Sequence, residues 1–336
     1  MNALVTGGGG FLGKALVKAL LARGDRVRSF ARGDYPELRA LGAETVRGDL
    51  ADYEAVKAAC TGCEVVFHVA ALVSLQNTTY DQMFAANVTG TENVIRACRE
   101  LGIQKLVYTS TPSVIFSGQD IAGADEALPY PARFGGHYAS TKAQAEQMVL
   151  AANGPDLATV ALRPPFVWGP GDTSLFPRIV ERARAGRMIK IGGKPAVVDT
   201  VYVDNAVHGH LLAAEKLAIG SPVGGKVYFI TDDDRVKLFD MVDAWVAIAG
   251  APPITRVLPR WLGELLGAAM EGVYGVFRPG QEPPLSRFVV QNFATDRWFD
   301  ISAAKRDLGY APVVSRAEGL RRLDEWYKSQ GANSAG

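Results

Sequence analysis

Thr6-Gly7-Gly8-Gly9-Gly10-Phe11-Leu12-Gly13 follows a short apolar run, Ala3-Leu4-Val5, and opens a helical pattern from Phe11 to Arg23 that is apolar at Leu12, Leu16, Ala19 and Leu20 and stops at Gly24. Strand, glycine turn and helix in that order make Gly7, Gly10 and Gly13 a phosphate-binding turn instead of a chance run of glycine. The first glycine permits a tight turn, the second lets a pyrophosphate approach the backbone, and the third lets the helix pack closely on the strand. The helix start, with unpaired N–H groups and the positive end of its dipole, then faces the anion.

Outward from this turn the chain alternates strands and helices. Arg26 to Ala31 reads as strand two, and Glu44 to Arg47 as strand three, ending in Gly48-Asp49-Leu50. A helix from Tyr53 to Ala59 leads to strand four, Val65 to Val69, and Ala70-Ala71. Tyr80 to Glu100 is a long helix, Lys105 to Thr109 strand five, Tyr138 to Ala152 a further helix and Ala158 to Arg163 strand six. That alternation predicts an α/β fold, a doubly wound parallel (Rossmann) sheet with right-handed crossovers. Ligands of such sheets lie at the carboxyl ends of the strands, where Gly7, Ala31, Asp49, Ala70, Thr111 and Pro164 fall.

Beyond Arg163, proline and glycine interrupt the pattern, which predicts a smaller C-terminal substrate lobe. We expect residues 1–165 to form the dinucleotide-binding domain, completed by segments near 197–216 and 226–231, with Val201-Tyr202-Val203 and Val227-Tyr228-Phe229-Ile230 as returning strands. Residues 166–196 and 232–328 would form the lobe, and Ser329 to Gly336 would fray.

A net charge of +1 over 336 residues provides no field for nucleic acid. Three cysteines do not make a disulfide framework, and Cys60-Thr61-Gly62-Cys63 reads as a helix end and turn, not a zinc site. The N-terminus runs straight into structure, so no signal peptide is expected, and a cytoplasmic setting follows, with contact at a membrane surface left open.

The chemistry lies in Tyr138-Ala139-Ser140-Thr141-Lys142. Residues four apart share a helix face, so phenol and ammonium point to one place. A free tyrosine titrates near ~10. A neighbouring ammonium and a cationic nicotinamide ring would lower that value and make the phenol a usable acid or base. The hydroxyls of Thr109-Ser110-Thr111, at the end of strand five, could hold a substrate oxygen during hydride transfer.

Together these motifs resemble an extended short-chain dehydrogenase/reductase, over residues 2 to 310. The resemblance covers Thr6 to Gly13, Gly48-Asp49-Leu50, His68 to Ala71, Asn87 to Thr91, Tyr108 to Thr111, Tyr138 with Lys142, and Leu162 to Asp172. It implies Tyr138, Lys142 and Thr111 as catalytic residues, with Ser110 as the alternative hydroxyl because serine is more usual at the Thr111 position. It implies cofactor contacts at Gly7, Gly10, Phe11, Leu12, Gly13, Asp49, Leu50, Ala70, Ala71, Thr109, Lys142, Pro164 and Val167. Asn87 would brace the central strands. Within the family, Thr109 to Phe116, Val207 to His210 and Gly225 to Val227 resemble the 3β-hydroxysteroid and 4α-carboxysterol 3-dehydrogenase branch. Tyr35 to Leu38 and Leu157 to Arg163 resemble bacterial 2-alkyl-3-oxoalkanoate reductases. Both groups interconvert a β-hydroxy and a β-keto function on a large lipid. A nucleotide-sugar epimerase or dehydratase is the alternative enzyme, and a non-catalytic NADP-sensing protein the third reading.

Two stretches refine this. An NAD enzyme wants a carboxylate at the end of strand two. Ala31-Arg32 stands there instead, which favours NADP through Arg32, with NAD the alternative if Asp34 swings in. Trp261 to Phe277 is apolar over most of its circumference, with Glu264 and Glu271 on one stripe. It reads as lobe core, as a lid over a lipidic pocket, or as a helix lying on a membrane surface. Pro259, Pro279, Pro283 and Pro284 delimit it. His137 is either a substrate contact or an incidental loop residue; His208 and His210 read as structural. A homodimer is expected.

Overall fold

Seven strands form one parallel sheet in the computed structural model, which describes residues 1–73, 78–278 and 286–333. They are β1 Asn2–Thr6, β2 Arg26–Ala31, β3 Glu44–Arg47, β4 Val65–His68, β5 Lys105–Thr109, β6 Ala158–Arg163 and β7 Lys226–Phe229. Their spatial order is β7-β6-β5-β4-β1-β2-β3. The order reverses between β1 and β4, and at that switch point the strand ends part to leave a crevice. Every residue of β4 and β6 is buried, because helices cover both faces of the sheet. Helices Phe11–Ala22 and Val203–Lys216 pack together on one face. Helices Tyr53–Cys60, Gly90–Glu100 and His137–Ala151 pack side by side on the other.

The long helix expected from Tyr80 to Glu100 carries a π-helical segment, Ala85–Thr89, between Tyr80–Phe84 and Gly90–Glu100. The widened turn directs Asn87 out of the helix. Its amide receives Leu72 N–H at 2.7 Å and donates to Leu72 O and to Thr141 Oγ1, both at 3.1 Å. Asn87 therefore ties the loop after β4 to the helix that carries Tyr138, instead of bracing the strands themselves.

The two segments read as returning strands behave differently, and one expectation is corrected. Lys226–Phe229 does join the main sheet, in register with Val160 to Arg163. Val201–Tyr202 does not: it pairs with Val167–Trp168 in a separate two-stranded ladder, since β7 occupies the sheet edge beside β6 and a helix begins at Val203. Val197–Val198 belongs to a small sheet ordered Val236–Lys237, Val197–Val198, Arg297–Phe299, Ile121–Ala124. Ile121–Ala124 lies between β5 and the His137–Ala151 helix, so the chain before residue 165 lends a strand to the second lobe. Gly123, at φ +78 under the Trp298 ring, leaves that strand almost no apolar signal to read.

Pro279, Pro283 and Pro284 lie outside the described residues. The helix before them spans Arg260–Phe277 and packs on Arg287–Ala294. A Cβ on Gly267 would sit 2.6 Å from Arg287 N, so close approach of the two helices requires glycine there. Glu271 accepts Arg287 N–H at 2.8 Å and pairs with its guanidinium, while Glu264 pairs with Arg260. The outer face stays exposed: Trp261 at 66%, Leu265 at 59%, Val273 at 55% and Phe277 at 78%. Such exposure rules out lobe core for that face.

Candidate active site

The glycine turn has no room for side chains where the sheet needs it closed. Gly7 has φ +70, and a Cβ there would lie 2.7 Å from Ala70 Cα; one on Gly13 would lie 2.1 Å from Gly7 O. Gly10, in contrast, faces the cavity, with only Gly7 O within 4 Å of an added Cβ. A cradle of bare backbone at a helix start fits a dinucleotide pyrophosphate. Beneath it, His68 is buried between two threonine hydroxyls. Thr91 donates to Asn87 O at 2.6 Å, so its oxygen accepts His68 Nε2–H at 2.9 Å, and Thr6 donates to Nδ1 at 2.7 Å. Burial, with Lys142 adding to it, holds this imidazole neutral by moving its pKa down to about 3.

One cavity of about 1130 Å³ runs along the carboxyl edge of the sheet. It exceeds the ~300–1,000 Å³ of an ordinary ligand pocket. Gly7, Gly10, Phe11, Leu12, Gly13, Arg32, Asp49, Leu50, Ala70, Ala71, Thr109, Ser110, Thr111, Tyr138, Lys142, Pro164 and Val167 all line it. The residues expected at the site are therefore brought together. His137 is not among the cavity's lining residues and packs edge-on against Tyr80 at 5.3 Å.

At the centre, the Tyr138 phenol stands beside the Thr111 hydroxyl, which favours its ionised form, while Thr111 Oγ1 also lies 3.3 Å from Ser113 Oγ. Burial nevertheless pushes the Tyr138 phenol up to about 12, outweighing that hydroxyl. The expected acidification by Lys142 does not come from the protein's own residues. Lys142 is 1% exposed, donates to Thr109 O at 2.7 Å and stands 4.1 Å from the Tyr108 ring centroid. Its pKa falls to about 7, through burial that Glu146 partly opposes. Glu146, one turn further along the helix, is fully buried and held by Arg163 at 2.5 Å and Tyr130 at 2.6 Å. Ser110 Oγ is buried with no hydrogen-bond partner among the described residues. Thr111 is the hydroxyl in contact with Tyr138.

At the far end, exposed Arg32 lines the cavity, and its carbonyl accepts Arg47 Nε at 2.9 Å. Asp34 is occupied by Arg39, which bonds both carboxylate oxygens and holds the acid below its usual range. Arg32 and Arg47 thus meet at the end of β2, where an NAD enzyme carries an acid, and Asp34 is tied to Arg39. At the opposite end the walls are apolar and aromatic: Phe116, Ile121, Phe166 and Phe299, with Arg297 among them. Sequence reasoning missed Arg297 and Phe166. Period-two alternation in Arg297-Trp298-Phe299 puts Arg297 on the face of Phe299, the one signal available.

A glycine cradle, a Tyr-Lys helix and a strand-end hydroxyl on one cavity of a seven-stranded Rossmann sheet define an oxidoreductase of the extended short-chain dehydrogenase/reductase type. More narrowly, the chain belongs to the 3-beta hydroxysteroid dehydrogenase/isomerase family, which it matches over residues 4–252. It is 48% identical over 326 residues to the 2-alkyl-3-oxoalkanoate reductase of Stenotrophomonas maltophilia, covering 96% of this chain and 98% of that one. To the protein of that name from Shewanella oneidensis it is 46% identical over 330 residues, covering 96% and 85%. The solved structure of gox2253 shares the fold with a TM-score of 0.79 at 29% identity, covering 98% of both chains. The UDP-glucose 4-epimerase of Thermus thermophilus, solved in complex with NAD, does so with a TM-score of 0.73 at 26% identity, covering 98% and 99%.

Proposed function

We propose that this protein is an NADP(H)-dependent oxidoreductase interconverting a 3-hydroxy and a 3-keto group on a bulky lipid. A 2-alkyl-3-oxoalkanoate is the favoured substrate, and a 3β-hydroxysteroid or 4α-carboxysterol the second. The observation that carries this reading is the Tyr138–Thr111 pair, set in one cavity between the glycine cradle and an apolar aromatic wall. A nicotinamide coenzyme held on the glycine cradle would supply or accept the hydride. Thr111 holds the substrate oxygen, Tyr138 gives the proton to it in reduction and takes it back in oxidation, and Lys142 would hold the coenzyme's ribose. A phenol with a raised pKa retains its proton until an alkoxide forms, which suits reduction. Arg32 and Arg47 support the 2′-phosphate of NADP.

The exposed apolar stripe of the Arg260–Phe277 helix supports a peripheral membrane contact over a lid, since none of its described residues lines the cavity. NADPH absorbance against long-chain 2-alkyl-3-oxoalkanoates, 3-ketosteroids and a UDP-glucose control tests the proposal. Turnover of the first two classes and not the third is expected. Turnover of UDP-glucose without added cofactor would replace the proposal with an epimerase.

A further inference from the structure

Arg297 is a buried cation with no anion among the described residues. Its side chain lies in the small sheet, in register with Ile121 and Val198, and is 9% exposed. The two terminal nitrogens give one N–H each to Asn292, to its Oδ1 at 2.6 Å and to its carbonyl. A guanidinium has five N–H groups. The remaining three, Nε–H included, have no acceptor among the described residues, and no described carboxylate lies within ion-pair distance. Leaving a desolvated charge without a counter-ion costs several kcal/mol. The buried cations Arg163 and Lys142 differ in having an acceptor for their charge, Glu146 for Arg163, whose Nη1 alone goes unpaired, and Thr109 O for Lys142.

The surroundings hold this charge in place. The guanidinium carbon lies 5.0 Å from the Phe116 ring centroid and 5.0 Å from that of Phe166. Phe116 closes the short turn Pro112–Ile115 that Thr111 caps, and Phe166 follows Pro164 by two residues. Phe166 adopts φ +33, a left-handed backbone that a bulky residue keeps only under constraint from its surroundings. Rings from the two loops that flank the reacting position thus clamp one guanidinium at the cavity wall. Burial lowers its pKa only to about 10, so it stays charged at neutral pH.

We propose that Arg297 is the residue that binds the carboxylate which a 2-alkyl-3-oxoalkanoate substrate carries beside its reacting carbon, and that it sets a preference for the acid over its neutral esters. The inference rests on the proposed 3-hydroxy/3-keto chemistry and narrows it: the acid supplies the charge the fold leaves uncompensated. A phosphate would offer the same chemistry, and the assay separates the two.

The test compares a 2-alkyl-3-hydroxyalkanoic acid with its methyl ester, each oxidised with NADP⁺, and includes UDP-glucose. The unmutated protein is expected to favour the acid in kcat/KM by at least ~10-fold. Arg297→Gln should lower kcat/KM on the acid by about 10- to 100-fold while leaving the ester within about twofold. Arg297→Lys should restore part of the preference. Thermal melting and NADPH fluorescence check folding and coenzyme binding in both variants. Equal oxidation of acid and ester by the unmutated protein, which needs no variant, overturns this inference and leaves the proposed function standing. So does a parallel loss on both substrates in Arg297→Gln, the mark of a structural role. Oxidation of neither, with coenzyme bound, overturns both, and UDP-glucose turnover assigns the cation to a phosphate instead.

Discussion

Tyr138 is a weak acid made weaker by its surroundings, since burial raises it to about 12 while only the Thr111 hydroxyl pulls it down. Its proton leaves when an alkoxide forms beside it, so the phenol oxygen itself is what turnover requires. Tyr138→Phe keeps the ring and should lower kcat by about 10²–10⁴-fold, with NADPH still bound. Stopped-flow turnover alongside fluorescence titration would show this, and near-normal turnover would remove Tyr138 from the chemistry. The cofactor preference also belongs to single residues. Arg32→Ala should narrow the affinity gap between NADPH and NADH by about 1–3 kcal/mol, the size of a charge-assisted hydrogen bond. Calorimetric titration of both coenzymes measures it, and equal affinities in the unmutated protein would sink the assignment. That Tyr138, Lys142 and the hydroxyls of Thr109-Ser110-Thr111 meet on one cavity was legible in sequence, because four-residue helical spacing and strand-end position follow from local geometry, while the choice of Thr111 among them came from the family resemblance. Arg297 was not, because its role depends on which rings and acids lie near it in space.

Strands β5 and β6 have the bounds that their apolar runs predict, since a parallel strand covered on both faces reads as near-continuous hydrophobicity. Strands β2 and β3 have the predicted bounds for another reason: β3 contains no fully buried residue, and Gly24, Gly42 and Gly48 mark the start of β2 and the two ends of β3. Ile121–Ala124 escaped because it is a short edge strand rich in small residues, and Val197–Val198 because two residues are too few to show a period; pairing with distant chain creates both. The Arg260–Phe277 helix was legible as a helix but not in its exposure. Gly263 and Gly267 turn inward to admit Val290 and the backbone at Arg287, which leaves Trp261, Leu265 and Phe277 outside. Each large side chain of this kind stabilises a membrane-bound form by ~1.5–3 kcal/mol when it leaves water. Trp261→Ser combined with Leu265→Ser should therefore cut vesicle co-sedimentation at least tenfold and leave turnover of a short, soluble β-keto ester unchanged. Equal pelleting of both proteins would end the membrane reading, and loss of the soluble activity would return the face to a packing role.

The molecule as a whole stores neutral imidazoles at two strand ends. His68 is the last residue of β4 and is bonded to Thr6 at the end of β1. His210 is fully buried beside β5, donating Nδ1–H to Ala206 O at 2.7 Å and accepting from the Thr109 hydroxyl at 2.7 Å. Burial lowers His210 to about 4, against the bond to Ala206 O, while an unfolded histidine titrates near ~6.5. A depressed imidazole means that the unfolded chain binds more protons between those two values. The stability it contributes is present above pH ~6.5 and is lost as the pH falls toward 4. Asp199, which burial raises to about 6, works the other way: the folded state takes up its proton first, so the total slope alone would mislead. A difference measurement isolates the imidazole. His210→Gln removes the titrating group and costs stability at pH 8, by about 1–3 kcal/mol for the disturbed buried bonds. That penalty should shrink by up to about 1.4 kcal/mol for each pH unit below ~6.5, and reverse near pH 5. Urea unfolding of both proteins at matched pH values reads the gap directly. A gap that stays constant from pH 8 to pH 5 would mean that His210 is charged in the folded protein, and that the hydroxyl of Thr109, whose carbonyl holds Lys142, is not locked in place by it.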